Sequence, residues 1–137
     1  MFQMDRESKG GGVAVYAKND ISVIRRTDLE IEGVEGLWLE IILPKSRGFL
    51  VGTFYRPPDS SKYHDKDFLP KLDSVLDIAT VLGKEVVLTG DFNYDLLPAK
   101  SKTQDCKQLK NLFKVSILNS LLPIQQGLHN IHHPCLI

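Results

Sequence analysis

The sequence predicts an α/β domain built on a mixed sheet, and three observations carry that expectation. Two strand-like runs, Leu37–Leu43 and Phe49–Tyr55, flank a short polar turn, Lys45-Ser46-Arg47-Gly48, which can join antiparallel strands but not parallel ones. Apolar residues then recur at helical spacing through Phe68, Leu72, Val75, Leu76, Ala79 and Leu82. A short apolar strand, Glu85–Thr89, follows that helix, as a layered strand-helix-strand domain requires. A chain of 137 residues is the usual size for one core.

Taken in order, the opening segment is polar and ends in Gly10-Gly11-Gly12, read as a flexible entry to an edge strand at Val13–Ala17. The glycine run precedes a strand, opens no helix and has no following Lys-Ser/Thr, so neither nucleotide-binding fingerprint applies. Asn19-Asp20 makes a turn into strand-like Ile21–Ile24. Pro44 closes the stronger strand at Leu37–Leu43, and Pro57-Pro58-Asp59-Ser60-Ser61 forms a loop. For the first helix, Asp67 is the expected N-cap, Pro70 falls in the first turn where its missing N–H costs little, and Gly83 is the stop.

The continuous apolar character of Glu85–Thr89 suggests burial on both faces. Ser101 with Gln104 offers a capping-box start to a second helix, with Leu109, Leu112 and Phe113 as its apolar stripe. Leu118–Leu122 reads equally as a helix end or a strand.

Charge argues for no particular partner. Seventeen basic residues balance seventeen acidic ones, and the densest basic pair is Arg25-Arg26, so no basic stripe marks a polyanion binder. The two cysteines, Cys106 and Cys135, have no metal-ligand spacing and read as reduced thiols of an intracellular protein, nuclear or cytoplasmic. No signal peptide or membrane-length apolar run is visible, which points to a soluble chain with no membrane partner.

Two segments could carry chemistry. Gly90-Asp91-Phe92-Asn93 lies just past a strand's carboxyl end, where ligand sites of open α/β sheets collect. An aspartate there can hold a water or take its proton, and an asparagine amide can donate to a phosphate oxygen. The plain alternative is an Asx-type turn that simply ends a strand. Asp91-x-Asn93-x-Asp95 also opens like an EF-hand, but Leu96 stands at the sixth position and Lys102 at the twelfth, so the calcium-loop reading fails. In Tyr55-Arg56-Pro57-Pro58, the tyrosine and arginine could contact a phosphate; in the plain version Tyr55 caps a sheet and Arg56 is solvated. His129, His132, His133 and Cys135 lack a second ligand pair at zinc spacing and read as a solvated tail.

Four pieces in order give the chain a wider likeness. They are Lys9-Gly10-Gly11-Gly12-Val13-Ala14-Val15-Tyr16, Glu35-Gly36-Leu37-Trp38-Leu39-Glu40-Ile41, Gly52-Thr53-Phe54-Tyr55-Arg56-Pro57-Pro58 and Leu88-Thr89-Gly90-Asp91-Phe92-Asn93-Tyr94-Asp95. Together they resemble the endonuclease/exonuclease/phosphatase superfamily, and within it the apurinic-like endonuclease domains of LINE-type retrotransposon reverse transcriptases. The resemblance runs from about residue 5 to residue 126, which makes 1–126 a partial domain of this type and leaves 127–137 as a divergent tail. It implies a four-layer α/β sandwich of two mixed sheets, with the site at one rim. It further implies hydrolysis of a DNA phosphodiester with Mg²⁺. Asp91 would then orient or deprotonate the attacking water, Asn93 would hold the scissile phosphate, and Tyr55 would stabilise its charge. Arg56 would be a further substrate contact.

The family pattern also contains pieces without a counterpart here. An asparagine strand and a strand bearing the metal-binding glutamate precede the glycine run in the family, whereas only nine residues do so here, and Glu7 does not match that glutamate. The terminal Ser-Asp-His is replaced by Gly127-Leu128-His129-Asn130-Ile131-His132-His133-Pro134-Cys135-Leu136-Ile137. The expectation is therefore an incomplete domain with no assigned metal ligand, exposed sheet edges and little or no turnover. A small phosphoester substrate and a non-catalytic interaction module are the alternatives.

Overall fold

The computed structural model describes residues 1–6, 11–94 and 103–121 of the chain. Glu7, Gly10, Asp95, Ser101, the tail histidines and Cys135 lie outside the described residues. Strands β1 (Phe2–Met4) and β2 (Val13–Val15) form an antiparallel ribbon. Strands β3 (Ser22–Arg25), β4 (Glu35–Ile42), β5 (Phe49–Tyr55) and β6 (Glu85–Asp91) form a second sheet in that order. The β3–β4 and β4–β5 pairs are antiparallel and β5–β6 is parallel, so the sheet is mixed as expected. Helices α1 (Phe68–Val81) and α2 (Gln104–Leu121) complete an α/β domain.

The hairpin register follows from size complementarity on one face. Trp38 faces Gly52 across the β4–β5 ladder, and Phe54 faces Gly36. Each ring lies over its partner's glycine: a Cβ at Gly36 would stand 2.2 Å from the Phe54 ring, and one at Gly52 would stand 3.0 Å from Trp38. The two rings then meet edge-on at 5.6 Å. A one-residue slip would separate both pairs and exchange the faces of every side chain.

Both helices cover the face that carries Trp38, Leu50 and Phe54. Phe68, Leu69, Leu72, Val75, Leu76 and Ala79 of α1 and Leu109 of α2 complete this core. Burial of one such aliphatic or aromatic side chain contributes about 1.5–3 kcal/mol, so this face dominates the stability. Leu37 and Leu39 are buried on the opposite face, where the β1–β2 ribbon lies against β4 and β5.

Helix boundaries match the sequence more closely than the caps do. Gly83 takes a left-handed φ of 64° just after α1 and donates to the Thr80 carbonyl at 3.0 Å. Asp67 occupies the N-cap position but makes no side-chain cap; its own N–H is taken by the Asp65 carboxylate at 2.9 Å. At α2, Thr103 stands immediately before the helix and its hydroxyl accepts from Cys106 N–H at 3.4 Å, the capping role expected of Ser101. Cys106 is buried on α2, and the segment 118–121 is helical.

Two further expectations are corrected. The polar opening segment contains β1, which pairs with β2 and whose Phe2 and Met4 are half-buried. Strand β6 is not buried on both faces: it ends the sheet order, and Val87 is 46 % exposed while Val86 and Leu88 pack against the core. Among the described residues the helices cover one face only, so alternate residues of the apolar run, such as Val87, face solvent.

Candidate functional site at the carboxyl ends of β5 and β6

The parallel register brings Tyr55 and Asp91 together, directly paired at the ends of β5 and β6. Backbone pairing continues one step further, with Arg56 N–H donating to the Asp91 carbonyl at 2.8 Å. Gly90 has φ 130°, and a Cβ there would lie 1.8 Å from the Phe54 carbonyl oxygen. Only glycine fits this point, because the backbones of β5 and β6 approach too closely here for a Cβ.

Beyond Asp91 the chain folds back on itself. Asn93 adopts a left-handed φ of 50°, which asparagine tolerates better than most residues. Its N–H donates to Asp91 Oδ1 at 3.0 Å, closing an Asx turn, and its Nδ2 donates to the Arg56 carbonyl at 2.8 Å. The Asx turn foreseen as the plain alternative is therefore present, and it positions Asp91 and Asn93 together. Asp91, Asn93, Gly90, Phe92 and Tyr94 line a cleft of about 550 Å³, closed on the far side by Leu109 and Phe113 of α2. Tyr55 and Arg56 do not line it.

Strand pleating separates Tyr55 from Arg56. The Arg56 side chain is 1 % exposed, so the solvated arginine of the plain sequence reading is corrected. Its Nη2 donates to Asp59 Oδ1 at 2.5 Å and lies 3.3 Å from His64 Nδ1, while its guanidinium carbon sits 4.0 Å from the centroid of the Tyr94 ring. Nε and Nη1 of Arg56 are buried and make no hydrogen bond among the described residues. This inward commitment leaves no direct route from the guanidinium to a substrate in solvent. Burial pushes the Tyr94 hydroxyl up to about 12, with the Arg56 charge opposing the shift.

Three participants escaped the sequence reading. Asp59 and His64 sit in the loop after β5, where no periodicity marks them. Glu35 pairs with Tyr55 on the other side of β5, forming a row Glu35, Tyr55, Asp91 across three strands. Its carboxylate accepts from Arg6 and from Gly12 N–H at 2.7 Å, which ties the β1–β2 ribbon to the rim. Arg6 also lies over the Tyr63 ring at 4.2 Å.

Among the described residues, no group of three or more His, Cys, Asp or Glu side chains could hold a metal ion. Asp91 alone does not make a resident magnesium site, so the described residues do not fit one. Among the described residues, no helix is long and apolar enough to cross a membrane. Compared with protein-family models, curated proteins and solved structures, the chain matches none of them.

Proposed function

We propose that the Tyr55–Asp91–Asn93 rim is a phosphodiester-hydrolysing site of the endonuclease/exonuclease/phosphatase type, from an endonuclease-like domain of retrotransposon origin. DNA is its substrate, and the complete fold is a four-layer sandwich to which the described sheet, helices and ribbon contribute. One observation supports this reading above the others: the parallel pairing of Tyr55 with Asp91 at the strand ends, with Asn93 returned beside them by an Asx turn. In this role the exposed Asp91 carboxylate orients or deprotonates a water, and the Tyr55 hydroxyl donates to charge developing on the phosphate. Mg²⁺ enters the proposal as an added ion to be tested by titration, and no assigned step runs through it. Turnover is accordingly expected to be slow or absent.

Supercoiled plasmid incubated with Mg²⁺ and the chain tests this reading, with Asp91→Asn beside it. Nicking lost in the variant supports it; equal nicking by both proteins removes Asp91 from the chemistry. A panel that includes small phosphodiesters separates a DNA substrate from the alternative of a small phosphoester.

A second reading, a non-catalytic interaction module, draws on the inward use of Arg56 and of the Asn93 amide nitrogen. Calorimetric titration with Mg²⁺ discriminates, since saturable binding that is lost in Asp91→Asn argues against a purely structural rim.

A further inference from the structure

Arg56 touches three residues of the 91–94 turn by three different groups. Its N–H donates to the Asp91 carbonyl, its carbonyl accepts from Asn93 Nδ2, and its guanidinium stacks on the Tyr94 ring. The same guanidinium reaches Asp59 and His64 in the loop that follows β5. Buried charges of this kind are costly unless well partnered, so the side chain is poorly placed to rearrange without opening its surroundings.

From this geometry we infer that Arg56 is a positioning residue, which locks the turn and fixes the Asn93 amide with its carbonyl end available to a ligand. The inference rests on the proposed site and changes the role of one member. The atom opposite Asn93 Nδ2 is a backbone carbonyl, which only accepts, so the amide orientation is determined by chemistry. Asn93 therefore offers Oδ1, an acceptor, to whatever occupies the rim. It suits a hydrogen-bond donor such as an attacking water or the shell of a hydrated cation. Toward a bare phosphate oxygen, the partner expected from the sequence, Asn93 has only the second Nδ2 proton to offer.

Solution NMR of the labelled chain tests this without any substrate. In the wild type, the Asn93 side-chain amide protons and the backbone N–H of Asn93 should exchange slowly with solvent. In Arg56→Met, exchange at 92–94 should rise about ten-fold or more, with α1 and β4 unchanged, and Arg56→Lys should restore part of the protection. Unchanged protection of the turn in a folded Arg56→Met protein overturns the inference. If that variant fails to fold, Tyr94→Leu decides: faster exchange at 92–94 supports the lock, and unaltered exchange overturns it. Neither outcome depends on nicking, so failure of the hydrolytic reading remains separate from failure of the lock.

Discussion

Tyr55 and Asp91 are direct partners across the parallel β5–β6 ladder, thirty-six residues apart in the chain and side by side at the rim. Their adjacency requires the α1 crossover, because parallel neighbours cannot be joined by a tight turn. It also yields the first prediction. If the rim hydrolyses a phosphodiester, Tyr55→Phe and Asp91→Asn should each lower the nicking rate by about 10²-fold or more. Both should leave the urea midpoint within the range of a surface change. Asparagine at 91 keeps an oxygen for the Asn93 N–H, so lost nicking would report charge rather than a broken turn.

Gly90→Ala should be far more disruptive than its size suggests. The new methyl group would stand 1.8 Å from the Phe54 carbonyl oxygen, in a backbone with φ 130°. A cost of about 2–4 kcal/mol is expected from strain together with displaced strand pairing. Chemical denaturation checks it, and a loss below about 0.5 kcal/mol would mean that β5 and β6 can separate at this point without penalty.

Glu40 should set part of the acid limb of stability. Lys84 donates to its carboxylate at 2.8 Å and Arg26 at 2.6 Å, and these bonds, Lys84 first, hold its pKa below the ordinary value of 4.5 against the opposing effect of burial. A depressed carboxylate stabilises the fold above its unfolded pKa and loses that contribution as pH falls below about 4.5 through the folded value. Glu40→Gln should cost about 1.5–3 kcal/mol at neutral pH, the range for hydrogen bonds to a charged group. It should also flatten the decline in melting temperature on acidification.

Tyr94 should give the corresponding signature in alkali. Burial raises its hydroxyl from 10 to about 12, so the folded state retains a proton that the unfolded chain has released. The associated stability is complete below about pH 10 and is lost as pH rises through about 12. Ultraviolet titration should show a late-ionising phenol that is absent in Tyr94→Phe. A late phenol that persists in the variant would assign it elsewhere.

Local pattern made much of the fold legible. The turn at Lys45–Gly48, the strand Phe49–Tyr55, the helical period from Phe68 to Leu82 and the stop at Gly83 are short-range properties, and the structure reproduces them. Caps were less legible because several oxygens compete for each N–H: Asp65 satisfies Asp67, and Thr103 caps α2. The burial of β6 was misread because an apolar run records only that a strand can be covered. Coverage depends on which elements fold over it, and here Val87 faces solvent.

Residue identity by itself determined the chemistry available to the site: a carboxylate and an amide two positions apart after a glycine, and a tyrosine followed by an arginine. Tertiary structure alone decided which of these meet. Pairing of β5 with β6 put Tyr55 beside Asp91, whereas the pleat, which alternates side chains between faces, turned Arg56 away from Tyr55 and buried it against Tyr94. Adjacency in the chain therefore separated two residues that the sequence grouped, and a long-range backbone ladder joined two that it held apart.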